Sequence, residues 1–185
     1  MSGLEIAAAL LGVINIVLVV RRSIWNYPFG IAMVILYFFV FVNAKLYSDG
    51  LLQMFFLAVQ AYGWWAWSRA ERVDHRVAVG WMTNRSRLAW LAGTIAASAL
   101  WGVAMARLTD AASPMIDAGV AGFSVAAQIL QSLRRVESWM LWILVDVAAI
   151  GLFLSRGLDV TAGLYALFLV ISGFGLIEWW RKAKA

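Results

Sequence analysis

The segment Glu137-Ser138-Trp139-Met140-Leu141-Trp142-Ile143-Leu144-Val145-Asp146 sets two indoles and a carboxylate at i, i+3 and i+7. On an α-helix these three share one face. Indole faces attract cations, and a carboxylate supplies countercharge or accepts hydrogen bonds, so this wall suits a flat cationic ligand. Gln53, Phe56, Gln60 and Trp64, spaced by three, four and four, offer a second wall. Its two amides suit hydroxyls or a carboxamide, with rings to enclose them. Plainer roles compete: Trp139 and Trp142 as interfacial anchors, Asp146 bonded to a neighbouring helix, and the glutamines as interhelical glue. Asn26-Tyr27-Pro28 reads first as a helix start, with Asn26 as N-cap and Pro28 in the first turn. Tyr37, Asn43 and Tyr165 are further groups able to face a cavity, whereas His75, beside Arg72, Asp74 and Arg76, reads as a solvated loop residue. Cysteine is absent, and no HExxH, glycine-rich phosphate loop or Ser/His/Asp arrangement occurs. The expectation is therefore a non-enzyme with no metal and no cofactor.

The elements that must carry these groups follow from composition. The chain is 64% hydrophobic and only 14% charged, against about 45–50% and 25% in soluble domains. Most apolar stretches are apolar all round, which suits hydrocarbon rather than water. The net charge of +5 reflects basic residues lying between these stretches, not a continuous patch, and so predicts a membrane topology and not a nucleic-acid partner. Runs of about 20 apolar residues give seven spans: Leu4 to Val20, Trp25 to Ala44, Gly50 to Trp67, Leu88 to Ala106, Pro114 to Leu133, Trp139 to Leu154 and Val160 to Trp180. The first lacks a basic n-region and a small-residue cleavage site and reads as a retained span. Arg21, Arg22, Arg69, Arg72, Arg76, Arg85, Arg87, Arg134, Arg135, Arg181, Lys182 and Lys184 follow the odd-numbered spans, leaving Lys45, Arg107 and Arg156 on the other side. The positive-inside rule then puts the N-terminus outside and the C-terminus in the cytoplasm. The fifth span, rich in small residues and carrying Asp117, reads as a buried central helix.

A shift of 112 residues lays Leu46 to Arg69 on Leu158 to Arg181, with identities at Leu46/Leu158, Leu52/Leu164, Phe56/Phe168, Leu57/Leu169, Gly63/Gly175, Trp67/Trp179 and Arg69/Arg181. The same shift sets Tyr165 on Gln53, the first span on the fifth and the second on the sixth. The expected fold class is therefore an all-α integral membrane protein forming a single transporter domain. It has a 3+1+3 arrangement: repeat one over about 4–68, a linker helix over about 88–106 and repeat two over about 114–181. A single linker helix makes the repeats parallel, and parallel repeats set a substrate site at their interface near the bilayer midplane.

Ser23-Ile24-Trp25-Asn26-Tyr27-Pro28-Phe29-Gly30, Leu46-Tyr47-Ser48-Asp49 with Gln53, Tyr62-Gly63-Trp64-Trp65-Ala66-Trp67, and Glu137-Ser138-Trp139-Met140-Leu141-Trp142 with Asp146 together resemble the PnuC family over nearly the whole chain. Ser138 departs from an Asn expected in many relatives. The resemblance implies a SWEET-like fold in the bacterial inner membrane and facilitated diffusion of unphosphorylated nicotinamide riboside, with a cytoplasmic kinase trapping the product. It also implies a homotrimer in membrane lipid. The pyridinium would meet Trp139 and Trp142, with Asp146 as countercharge, while Gln53, Gln60 and Asn26 would meet the carboxamide or ribose. Phe56, Trp64, Tyr37 and Tyr165 would complete the cavity. The alternatives are another flat vitamin such as thiamine or, in a different class, a structural membrane protein that transports nothing.

Overall fold

A computed structural model describes residues 3–43, 47–74, 78–108, 113–155 and 159–184. Among them run seven helices: α1 (Gly3–Val20), α2 (Asn26–Asn43), α3 (Tyr47–Asp74), α4 (Asn84–Leu108), α5 (Pro114–Ser132), α6 (Glu137–Ser155) and α7 (Asp159–Lys184). Each coincides with one expected span. The largest departure is α3, which continues past Trp67 to Asp74. Ser68-Arg69-Ala70-Glu71-Arg72 contains no Gly or Pro and several strong helix formers, so the helix outlasts its apolar stretch. His75, Lys45, Arg76 and Arg156 lie outside the described residues.

Gly3–Val20, Asn84–Leu108 and Ala162–Ala183 are long and apolar enough to cross a membrane, and α2 adds the shorter apolar stretch Asn26–Val40. Large apolar side chains point outwards at helical spacing: Leu10, Ile14 and Val17 on α1, Leu88, Leu91 and Ile95 on α4, Val170, Phe174 and Ile177 on α7. Such a surface is costly in water and neutral in hydrocarbon. Consecutive helices pack together within α1–α3 and within α5–α7, and α4 packs on α5. Between these groups the contacts are α1 with α7 and α3 with α5.

The same tight turn occurs twice. After α1, Arg22 N donates to Val19 O at 2.9 Å and Ser23 N to Leu18 O at 3.0 Å. After α5, Arg134 N donates to Gln131 O and Arg135 N to Leu130 O, both at 2.9 Å. Each pair is a Schellman closure, with the left-handed residue supplied by Arg22 (φ 56°) and Arg134 (φ 61°) instead of the usual glycine. Both turns then enter the next helix through equivalent bonds, Asn26 N to Ser23 O and Ser138 N to Arg135 O, each at 3.1 Å. All these positions are related by the 112-residue shift of Leu46 to Leu158.

α4 presents Thr94, Ser98 and Gly102 to its neighbour and little else. A Cβ added at Gly122 of α5 would stand 3.2 Å from Ser98 Cβ, and one at Gly102 would lie 3.4 Å from Ala118 Cβ. Small residues on both sides let the backbones approach. The α3–α4 connection is fastened to the second turn: Gly80 N donates to Arg134 O, and Val136 N donates to Gly80 O, each at 3.1 Å. Glu137 Oε1 accepts from Met82 N at 2.9 Å and from Arg87 Nε at 2.7 Å.

Candidate functional site

At the end of the bundle that carries the two turns, four aromatic rings close the interior. Tyr27 meets Trp67 edge-on at 5.4 Å, and Trp139 meets Trp179 edge-on at 5.5 Å. Trp67 and Trp179 meet each other at 6.0 Å. The indoles are cross-bonded: Trp67 Nε1 of α3 donates to Ser132 O of α5 at 3.1 Å, and Trp179 Nε1 of α7 donates to Val19 O of α1 at 3.2 Å. The paired glycines explain how bulky rings fit. A Cβ at Gly63 would lie 2.6 Å from Tyr27 Oη, and one at Gly175 would lie 2.6 Å from Trp139 Cε2. A helix rises about 1.5 Å per residue, so residues three to seven positions back along α3 and α7 sit one to two turns above this floor.

Gln60, Asn15 and Gly30 meet at that height. Gln60 is 4% exposed, and a Cβ on Gly30 would fall 2.6 Å from both Gln60 Oε1 and Asn15 Nδ2. Amides from α1 and α3 thus converge where α2 has no side chain. Asn15 Nδ2 donates to Asn26 O at 2.7 Å. Across the bundle, Asp146 is 3% exposed, and its Oδ2 accepts a hydrogen bond from Ser172 Oγ at 3.0 Å. Trp142 is half-buried and donates from Nε1 to Gln131 Oε1 at 2.6 Å.

Several expected positions need correction. Trp139 does not share a wall with Trp142; it is fully buried in the aromatic floor. Trp67 is also fully buried there. Trp64 does not stand beside Gln60: it is 40% exposed and lines, with Ala61, Trp65, Ser68 and Arg69, a groove on the exposed face of α3. Arg69 lies over the Trp65 ring at 4.9 Å, an interfacial pairing of a cation and an indole. Asn26 does not cap α2 through its side-chain oxygen; it is buried, and its Nδ2 donates to Ser23 O at 2.7 Å. Gln53, Phe56, Tyr37 and Tyr165 are half-buried; Phe56 packs edge-on with Phe55 at 6.1 Å and Tyr165 with Phe168 at 5.8 Å.

Three residues of this interior escape the sequence reading. Asn15 is an isolated amide with no spacing partner, and Gln131, three residues after Gln128, was not singled out by that pairing; both become visible through what they touch. Ser172 had a signal, since it occupies the repeat position of Gln60. Among the described residues no group of His, Cys, Asp and Glu is placed to hold a metal ion.

The model of the nicotinamide mononucleotide transporter family matches residues 2–181. The chain belongs to this family. It is 27% identical to the nicotinamide riboside transporter PnuC of Escherichia coli over all of its own length and 87% of the relative. It is 29% identical to the riboflavin/roseoflavin transporter RibM of Streptomyces davaonensis, covering 97% of this chain and 85% of that one. A crystal structure of the vitamin B3 transporter PnuC superposes with a TM-score of 0.80 at 29% identity, over 98% of this chain and 82% of the other. With these relatives and its apolar helices, the chain is a PnuC-family, multi-pass inner-membrane protein, and the family is one of transporters.

Proposed function

We propose that the chain carries nicotinamide riboside across the bacterial inner membrane by facilitated diffusion. All seven helices span the bilayer as two parallel three-helix units joined by α4, in a SWEET-like 3+1+3 arrangement. The N-terminus lies outside and the C-terminus in the cytoplasm, the orientation that puts most Lys and Arg inside. The two units rock about a midplane site, and a cytoplasmic kinase traps the product so that no energy source is needed. The transporter works as a homotrimer.

The observation that carries this reading is the buried polar interior above the aromatic floor. Asp146 and the half-buried Trp142 stand on one helix, and the amide of Gln60 stands with Asn15 around the bare Gly30. An indole with a carboxylate one turn away suits a pyridinium, while the amides suit a carboxamide or ribose. Tyr37, Gln53, Phe56 and Tyr165 lie further from the floor on the same helices and line the approach. Trp139 acts as the floor of the site, Asn26 as a bracket for Asn15, and Trp64 as a lipid-facing neighbour. The names of the relatives support the vitamin class: riboside transporters in Escherichia coli, Neisseria mucosa and Haemophilus influenzae, and a riboflavin transporter in Streptomyces. The last favours, as second reading, another flat heterocyclic vitamin on the same path.

Counterflow of labelled riboside in liposomes containing only this protein tests the mechanism. Exchange without net accumulation is expected. Concentrative uptake in sealed, kinase-free vesicles contradicts facilitated diffusion, and absence of exchange by folded protein contradicts transport of this substrate.

A further inference from the structure

Most of what surrounds the aromatic floor is built twice. The Schellman turns, the edge-on ring pairs and the bare glycines each recur in the second half of the chain, and each half has an indole-to-carbonyl bond whose acceptors are offset by one residue. Other contacts do not recur: those of Asn15 with Asn26, of Ser172 with Asp146 and of Arg87 with Glu137, and one that joins α5 to α6 beside the second turn. Trp142 Nε1 donates to Gln131 Oε1 at 2.6 Å, whereas the 112-residue shift that relates Leu46 to Leu158 puts Val19 and Gly30 at those two places. A pair that the first half does without is not required to form this turn. It is therefore free to serve a ligand that is itself asymmetric.

We infer that Gln131 is a positioning residue that fixes the indole of Trp142 against the substrate. The inference rests on the reading of Trp142 as part of the ligand wall. An indole N–H only donates, so the amide must turn its oxygen towards Trp142, and this sets the orientation of both groups. Without the acceptor, the χ2 torsion of an aromatic side chain is broad and the half-buried ring turns. Gln131 is itself held firmly: its backbone oxygen closes the turn through Arg134 N at 2.9 Å, and the next residue, Ser132, accepts the Trp67 indole at 3.1 Å. The tight turn brings α5 back beside α6, so a residue on the last turn of one helix reaches the second turn of the next.

A double-mutant cycle on the purified, detergent-solubilised protein tests this, with nicotinamide riboside affinity read by calorimetry and folding by thermal unfolding. Trp142→Phe and Gln131→Met, which removes the acceptor at similar volume, are each expected to weaken binding by about three- to tenfold, the range of one hydrogen bond. The double variant is expected to bind no more weakly than Trp142→Phe alone, and Gln131→Glu, which keeps an acceptor oxygen, to bind within about twofold of the parent. Wild-type affinity in Gln131→Met, losses that multiply in the double variant, or equal loss in Gln131→Glu would each overturn the positioning role while leaving Trp142 in the wall. Unchanged affinity in Trp142→Phe overturns the wall reading and this inference with it.

Discussion

At Gly30 the absent side chain matters more than any side chain nearby, because an added Cβ would run into the amides of Gln60 and Asn15. Gly30→Ala should therefore displace both amides and weaken riboside binding at least about tenfold, with an overpacking cost of roughly 1–3 kcal/mol in thermal unfolding. Gly163→Ala, where nothing lies within 4 Å, should leave binding unchanged and raise stability by up to about 1 kcal/mol. Asp146 gives a second prediction. Asp146→Asn keeps a hydrogen-bonding partner for Ser172 but removes the negative charge, so affinity for a cationic riboside should drop about tenfold while the melting temperature holds; calorimetry and thermal unfolding together read this. The sequence exposed Asp146 and Gln60 because a polar group within an apolar helix costs free energy and needs a reason, and Trp142 through its spacing from Asp146 on one helical face. It did not separate Trp139 from Trp142. Two residues three apart share a face, but only the rotation of α6 against α7 decides which one meets Trp179 and which one stays half-buried. Asn15 was hidden for a different reason: a lone amide has no period.

Among the elements, the paired turns carry the strongest local statement. A left-handed conformation costs a non-glycine residue about 1–2 kcal/mol, yet both turns use arginine. Arg134→Gly should raise the unfolding midpoint by a few degrees in detergent, since glycine adopts this conformation freely; a lowered midpoint would mean that the Arg134 side chain contributes more than the backbone loses. Helix ends were largely legible because charges, Pro114 and the Glu137 start interrupt the apolar runs. The continuation of α3 to Asp74 was not, because apolar run length marks where lipid ends and not where a helix does. The turns themselves were unreadable: an Arg at a left-handed position gives no sequence warning where a glycine would.

On the scale of the molecule, the bonds from Trp67 to Ser132 and from Trp179 to Val19 join the two halves of the chain at one place. Trp67→Phe removes the donor to Ser132 O, whereas Trp179→Phe leaves Val19 O its bond from Arg22 N, so Trp67→Phe should destabilise by about 1–3 kcal/mol and Trp179→Phe by less. Equal losses in thermal unfolding would contradict this. The repeat that makes this symmetry was already visible in the identities Gly63/Gly175 and Trp67/Trp179, because rings this large need glycine opposite them in both halves. What spacing alone did not reveal was that these tryptophans form the floor of the interior. The central claim, a riboside site above that floor, is tested most directly by titrating nicotinamide riboside into purified protein by calorimetry, with the mononucleotide and thiamine as competitors. Selective binding of the riboside, lost in Trp142→Ala, is the predicted result; no binding to well-folded protein, or preference for thiamine, would contradict it.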